Sequence, residues 1–115
     1  MIELAIAARL GALAGGSVYP GKAPEDAPSP RITFFVVDAQ TGWVLSGWDG
    51  SQVANLQVDC WATSKVKAIQ LAGEAFTAMA ESDAEFSVSA AQRLPDDYED
   101  STQLHRVTWE YTLQP

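Results

Sequence analysis

Residues 54–80, ANLQVDCWATSKVKAIQLAGEAFTAMA, decide the fold, because the hydrophobic period changes within them from two to about 3.6. The first part alternates strictly, with Ala54, Leu56, Val58 and Cys60 against Asn55, Gln57 and Asp59. Successive side chains of a strand point to opposite faces, so this alternation predicts a strand half-buried against a core. At Thr63-Ser64 a hydroxyl is available to cap the first turn of a helix. The segment therefore predicts a strand followed by an amphipathic helix.

The predicted helix begins near Lys65 and ends near Ser82-Asp83. Its apolar stripe, spaced by three and four, consists of Val66, Ile69, Gly73, Phe76 and Ala80, widened by Ala72 and Met79. Because such a stripe normally faces the core, we expect Val66, Ile69 and Phe76 to pack against the apolar face of the preceding strand.

A second helix is predicted in the apolar N-terminal stretch, from Met1 to the glycine pair Gly15-Gly16. A cleaved secretory leader is the alternative interpretation, since Ala12-Leu13-Ala14 resembles a cleavage site. Glu3 and Arg9 argue against it, because a leader begins with basic residues and has an uninterrupted apolar centre. The leader interpretation would make the chain a secreted or periplasmic binding module.

Further strands are predicted at residues 17–19, 32–37, 85–94 and 104–113. β-Branched and aromatic residues occupy both alternating faces of Ile32–Val37, which is typical of a strand covered on both faces. We expect turns at residues 38–42 and 47–50, with residues 43–45 forming the returning strand between them. Residues 20–31 hold four prolines and are predicted to form an exposed loop. Residues 95–100 should break the sheet as a solvated turn.

These elements predict an α+β fold for a single domain over residues 1–115. Its two layers would be a mostly antiparallel sheet and, packed on it, the N-terminal helix and the long central helix. A chain of 115 residues can bury enough surface to be stable without metal or disulfide.

The composition excludes several classes of protein. The chain has one cysteine and one histidine, whereas a structural zinc site needs about four such ligands. Fifteen acidic residues against seven basic ones give a net charge of −8, which disfavours nucleic acid as a principal partner. No apolar run is long enough to span a membrane. We expect no cofactor and no metal.

The candidate catalytic groups are isolated, so we expect no enzyme. His105 begins the last strand without a nucleophile to serve, and Cys60 alternates toward the core as a small hydrophobe would. The acids of residues 96–100 lack the glycine and the spacing of a calcium loop. They are a solvated turn or, alternatively, an electrostatic docking patch that includes Asp96 and Asp97.

The tryptophans are the most informative single residues. Trp61 and Trp109 lie in predicted strands and should belong to the core or its rim. Trp43 and Trp48 bracket a predicted turn, beside Asp49, where part of their surface should face solvent. Such aromatics either mark a protein interface or cover the edge of the sheet.

The order of these features resembles the small phage and prophage tail-completion proteins, a family that includes tail terminators and head-to-tail joining proteins. The matching stretches are Val18-Tyr19-Pro20-Gly21, the loop before Ile32, the segment LQVDCWA at residues 56–62, the long helix, Tyr98 in its acidic loop, and Leu104-His105-Arg106. The resemblance covers nearly the whole chain, although the stretch from Pro24 to Pro30 is unusually rich in proline.

The resemblance implies a structural protein of the virion without an active site. Such subunits form a ring, a hexamer by resemblance, at the head-proximal end of the tail tube, with the tube protein and the head-to-tail connector as partners. DNA would pass through the ring only as cargo, and assembly would take place in the host cytoplasm. By the same resemblance, Lys22 and Arg31 in the proline loop and the turn at residues 47–52 would make inter-subunit or axial contacts.

Overall fold

The structure is a computed structural model that describes residues 2–44, 47–81 and 86–114. Its helices are α1 (Ile2–Leu10) and α2 (Lys65–Ala80), and a short 3₁₀ turn spans Leu13–Gly16. Its strands are β1 (Val18–Pro20), β2 (Arg31–Val44), β3 (Gly47–Ala62), β4 (Ser87–Arg93), β5 (Asp97–Glu99) and β6 (Leu104–Gln114). The prediction of an α+β fold with a mostly antiparallel sheet is confirmed.

All six strands form one sheet, in the order β1-β2-β3-β6-β4, with β5 also paired to β6. Only β1 and β2 are parallel among these pairs. The apolar residues that alternate along β3 lie on the face of the sheet that forms the core. Three rows of residues that are paired across β2, β3 and β6 make up this face: Ile32–Cys60–Val107, Phe34–Val58–Trp109 and Val36–Leu56–Tyr111.

Both helices contribute to the core on this face of the sheet. From α1, Ile6 and Leu10 are fully buried. From α2, the buried residues are Ala68, Leu71, Ala72, Ala75 and Met79. The expected cap of α2 is present, because the Ser64 hydroxyl accepts a hydrogen bond of 3.2 Å from the backbone N–H of Lys67.

The prediction of which face of α2 meets the sheet is wrong in part: Ala72 and Met79 of the predicted stripe are buried, but its centre is not. Val66 is 64% exposed, Ile69 40% and Phe76 39%, whereas Leu56, Val58 and Cys60 are buried as expected. The buried stripe lies one residue, or roughly 100°, around the helix from the predicted one. It contains three alanines, which allow the helix to approach the sheet closely. The helix thus has two apolar stripes, and the one with smaller side chains is buried.

The two predicted turns at residues 38–42 and 47–50 are also wrong, because β2 continues to Val44 and β3 already begins at Gly47. The turn-forming residues fall where the pairing of β2 and β3 shifts register, between Val36 and Asp38 and between Thr41 and Trp43. A bulge accommodates such residues inside a strand. Trp43 and Val44 end β2 instead of starting a returning strand, and Leu45 lies outside the described residues.

Four smaller corrections concern the covering of β2 and the boundaries of other elements. Strand β2 is not covered on both faces, since Phe35 is 39% and Val37 50% exposed on the face away from the helices. Helix α1 ends at Leu10, before the glycine pair, and Gly15 and Gly16 adopt positive φ in the turn that follows. The break after β4 is shorter than expected, because residues 97–99 return to the sheet as β5. Helix α2 ends at Ala80, and Ser82-Asp83 lie outside the described residues.

Candidate docking surfaces

Strands β2 and β3 continue beyond the rest of the sheet as a two-stranded ribbon. The last pair of β3 with β6 is Ala54 with Leu113, and the last pair of β2 with β1 is Phe34 with Pro20. Within the described residues, positions 38–44 and 47–53, which we call the ribbon, therefore have unpaired outer edges. Unpaired edges are sites for further strand pairing or for docking.

Three of the residues predicted as contacts lie in the ribbon. Trp43 and Trp48 are directly opposite each other in the register, and Asp49 follows Trp48 in β3. The side chains of the two tryptophans, like that of Asp49, lie outside the described part of the structure.

An apolar groove lies between α2 and β6, with a volume of about 280 Å³. Ile69, Gly73 and Phe76 line it from α2, and Val107 and Trp109 line it from β6. The ring of Phe76 lies 5.0 Å from that of Trp109, centroid to centroid. The groove thus combines exposed aliphatic and aromatic surface, which is typical of interaction sites.

Gly73 lines this groove without an internal reason to be glycine. A Cβ built at position 73 meets no atom within 4 Å. Glycine in a helix interior is less favourable than alanine by about 1 kcal/mol, so the position carries a cost that no contact among the described residues explains. Because Gly73 has no side chain, the groove is deeper at this position.

A charged cleft of about 470 Å³ lies between the proline loop and the segment after β5. Two predicted contact residues, Lys22 and Arg31, line it together with Asp59, Trp61 and Glu99. The Arg31 guanidinium donates a hydrogen bond of 3.1 Å to the carbonyl of Ala27. The cleft carries both signs of charge around one indole ring, which suits a polar protein partner.

Asp59 holds the floor of this cleft in place. Its carboxylate is buried and accepts hydrogen bonds from the Thr108 hydroxyl at 2.6 Å and from the Gln57 amide at 3.1 Å. Beside it, the Trp61 indole N–H donates to the Thr33 hydroxyl at 3.1 Å. These bonds join β2, β3 and β6 on the face opposite the helices, so the cleft is built on a fixed base.

The structure brings Arg31 and Asp97 into one row across the sheet. Trp61 lies opposite both Arg31 and Arg106, whose guanidinium carbons are 6.0 Å and 5.7 Å from its ring centroid. Arg106 in turn donates to the Asp97 carboxylate at 3.2 Å. Contacts of this length are cation–π interactions. The two predicted residues thus belong to one surface, away from the ribbon.

Asp96 is more constrained than the sequence suggests. Its carboxylate lies 2.9 Å from the Arg93 guanidinium and 3.7 Å from the Lys65 ammonium. These cations neutralise part of the acidic cluster, so Asp96 is less suited to an electrostatic patch than an unpaired acid would be. The exposed acids of the cluster are Asp97, which is paired with Arg106, and Glu99 and Asp100.

Within the described part of the chain, the structure does not bring candidate catalytic side chains together. His105 packs against Tyr98, with ring centroids 4.8 Å apart. No cluster of three or more potential metal ligands occurs among the residues that the structure describes. No helix within residues 2–44, 47–81 and 86–114 is long and apolar enough to cross a membrane.

Cys60 and Tyr111, which are buried in the core below the helices, stay protonated. Burial, with the nearby charges of Asp59 and Glu74, raises the pKa of the Cys60 thiol to about 12. Burial, followed by the Cys60 charge, raises the pKa of Tyr111 above its usual range. Cys60 is therefore the core hydrophobe that the alternation predicts, and not a nucleophile.

Cys60 should resist thiol reagents in the native protein and react rapidly after unfolding in denaturant. Since the folded thiol keeps its proton while the unfolded one ionises near 9.0, its stabilising contribution is complete below that pH and is lost as the pH rises toward about 12. Chemical denaturation across this range should show a steeper decline for the wild type than for Cys60→Ala. Rapid labelling of the native protein would contradict the register of β3.

Sequence reasoning missed the apolar groove, and one signal could have revealed it. The spacing predicts that Ile69 and Phe76 face the core, although α2 carries a second stripe at Ala68, Leu71 and Ala75 with the same spacing. A helix with two apolar stripes has more apolar surface than one sheet can cover, which indicates a second partner. Trp61 and Trp109 are half-buried at the rim, as predicted.

The fold defines a small α+β protein with a single, mostly antiparallel sheet. Among solved structures, the chain is similar to one in the "Virion of native gene transfer agent (GTA) particle", with a TM-score of 0.59 and 13% identity, covering 96% of this chain and 84% of that one. At this identity the likeness shows a shared fold. Among curated proteins, none matches.

The family model described as "Tail completion protein gp17" matches residues 3–113. The chain therefore belongs to this tail-completion family, and the resemblance found from the sequence is confirmed. It is a structural protein of the phage tail and a component of the virion.

Proposed function

We propose that this protein is a tail-completion or tail-terminator subunit that forms a ring at the head-proximal end of the tail tube. There it stops growth of the tube and joins the tube to the head connector. The observation that carries this proposal is the family match over residues 3–113, nearly the whole chain. A role in assembly accounts for the protein without requiring catalysis.

The distribution of surfaces supports a ring. Head-to-tail contacts in a ring join one patch to a different patch on the next subunit, so each subunit needs two complementary surfaces. The ribbon and the apolar groove are two such surfaces. The charged cleft is a third, available to a neighbour above or below the ring.

The predicted contact residues divide between these surfaces. Lys22 and Arg31 would meet a partner at the charged cleft, and Asp96 and Asp97 would contribute beside it. Trp43, Trp48 and Asp49 would act through the ribbon. The tube protein and the connector are the proposed partners of these contacts, together with further copies of the chain in a hexamer.

The net charge of −8 suits a ring through which DNA passes as cargo. An acidic wall repels phosphate, so the polymer can slide without binding. In this proposal the protein assembles in the host cytoplasm and is then incorporated into the tail.

Sedimentation of the purified protein, alone and with tail-tube subunits, tests the proposal. We expect a ring-sized species on the tubes and tubes of limited length, because a capped end cannot elongate. Electron microscopy of the same samples should place the protein at one end only. A protein that stays monomeric and leaves tube growth unchanged would contradict the proposal, whereas a monomer in isolation is compatible with assembly on a platform.

A further inference from the structure

We propose that two copies of the free protein pair through the outer edges of their β4 strands, so that their sheets join into one across a two-fold axis at Ala91. The partner is a second copy of this chain, and backbone hydrogen bonds make most of the contact. The inference does not rest on the proposed ring, because a two-fold contact joins like surfaces, whereas a head-to-tail ring joins unlike ones. It uses neither the ribbon nor the charged cleft.

Strand β4 has one free edge. It pairs with β6 on one side, and no strand within the described residues pairs with its other side. Residues 89–93 are exposed. The hydroxyls of Ser87 and Ser89 donate toward β6, to the carbonyls of Gln114 at 3.4 Å and Thr112 at 3.3 Å. The outer side of β4 therefore presents backbone N–H and C=O groups, which are a template for an added strand.

This edge lacks most of the features that protect a sheet edge from pairing, such as a short strand, proline or charged side chains. Strand β4 has seven residues, without proline and with no charged residue before Arg93 at its end. Its one irregularity, between Val88 and Ala90, leaves Ala90 to Arg93 in regular pairing with β6. At the opposite edge, β1 has three residues, and Pro20 has no N–H to donate. The described sheet is thus protected at one edge and open at the other.

The hydrogen bonds of β4 show which backbone groups a partner can reach. The Leu94 N–H donates to the carbonyl of Thr108, the residue opposite it in β6, at 3.0 Å. Along an antiparallel strand, the backbone groups of successive residues alternate between its two sides. Gln92 therefore also faces β6, whereas Ala91 and Arg93 direct their N–H and C=O groups outward. Ala91 thus offers both a donor and an acceptor in the regular part of the free edge.

A two-fold axis at Ala91 makes this edge complementary to itself. Opposed residues of two antiparallel strands exchange two hydrogen bonds when both direct their backbone groups toward each other. At the axis Ala91 lies opposite its own copy, so the N–H of each donates to the C=O of the other. Arg93 then lies opposite position 89 of the second copy, and the two guanidinium groups lie on opposite sides of the axis. Like charges therefore do not meet across the contact.

Charge favours β4 over the other free edges for a contact between copies. The chain has a net charge of −8, so two copies repel each other least where the surfaces that meet lack acidic residues. Strand β4 contains none. The other strands with free edges contain acids, namely Asp38 in β2, Asp49 in β3, and Asp97 and Glu99 in β5. Within the described sheet, β4 is thus the edge best suited to self-association.

Sedimentation equilibrium of the free protein tests the contact, with two substitutions of Ala91 as a matched pair. The wild type should show a monomer–dimer equilibrium that depends on concentration. Ala91→Pro removes an N–H that faces away from β6, and an edge strand tolerates proline at such a position. We expect this variant to keep its fold, as judged by circular dichroism, and to dimerise about tenfold more weakly or less. Ala91→Ser keeps the N–H and should dimerise as the wild type does.

Oxidation of Ala91→Cys provides a second test that does not depend on the folding of the proline variant. Residues of a hydrogen-bonded antiparallel pair have Cα atoms about 5.5 Å apart, within the range of about 4.4–6.8 Å in which a disulfide forms. We expect mild oxidation to give covalent dimers of this variant. Thr77→Cys, at an exposed position on α2, is the control and should stay monomeric. The native Cys60 is buried and takes no part.

The outcomes decide the contact separately from the ring. A wild type that sediments as a monomer at every concentration would overturn the β4 contact. A dimer that persists unchanged in folded Ala91→Pro would also overturn it, and so would Ala91→Cys if it gave no more covalent dimer than Thr77→Cys. A wild type that dimerises through β4 but forms no ring on tail tubes would contradict the proposed function and leave this contact standing.

Discussion

Replacing Leu71 with alanine should lower the free energy of unfolding by about 2–5 kcal/mol. Leu71 is 5% exposed and belongs to the core formed by α2 and the sheet. The variant loses buried apolar surface and leaves a cavity that the surrounding side chains fill only in part. Urea unfolding followed by tryptophan fluorescence measures the difference.

Val66→Ala is the control in the same helix. Val66 is 64% exposed, and alanine has the higher helix propensity, so the expected change is within about 0.5 kcal/mol. The pair distinguishes the two stripes of α2, because the stripe expected from the sequence predicts the opposite ranking. A larger loss for Val66→Ala than for Leu71→Ala would show that the other stripe faces the sheet.

Replacing Arg9 with alanine should lower the free energy of unfolding by about 2–3 kcal/mol. Its guanidinium donates to the carbonyls of Met79 at 3.2 Å, of Glu81, and of Phe86 at 3.4 Å. It also lies 3.7 Å above the centroid of the Phe86 ring. Arg9 thus satisfies carbonyls at the C-terminal end of α2, where a cation is favoured by the helix dipole. Hydrogen exchange should accelerate in the last turn of α2 in this variant.

Two further variants identify the cause of that loss. Arg9→Lys should recover only part of the stability, because an ammonium cannot reproduce the planar fork that reaches several carbonyls. Arg93→Ala removes an arginine whose pair with Asp96 is solvent-accessible, so its cost should stay below about 1 kcal/mol. Equal losses for Arg9→Ala and Arg93→Ala would argue against a capping role for Arg9.

The helix α1 illustrates what patterning can and cannot predict. The apolar spacing indicates a helix that presents Ile6 and Leu10 on one side, and both are buried. Arg9 lies beside that stripe in the sequence, which gives no indication that it reaches the end of another helix 70 residues away. Its partners are backbone carbonyls, which every residue has, so no sequence pattern marks them.

The predicted contact residues also show which features the sequence predicts and which depend on the tertiary structure. Arg31 and Asp97 join one row because β3 and β6 lie between them, and Trp61 links their elements through Arg106. The order of strands in the sheet creates this surface, and local sequence does not specify that order. Trp43 and Trp48 were expected to flank a turn, and only the pairing of β2 with β3 places them opposite each other.

The sequence by itself determined the type and order of most elements and the core face of β3, and it indicated the family. The elements and the core face follow from local periodicity, which every residue of an element shares, whereas the family follows from a resemblance carried by particular stretches such as residues 18–21 and 56–62. The tertiary structure decided which stripe of α2 is buried, because both stripes have the helical period and the closer packing of the alanine-rich one selects it. It also decided that β2 and β3 extend as a ribbon and that a groove opens between α2 and β6, since both features depend on where non-neighbouring elements end relative to one another.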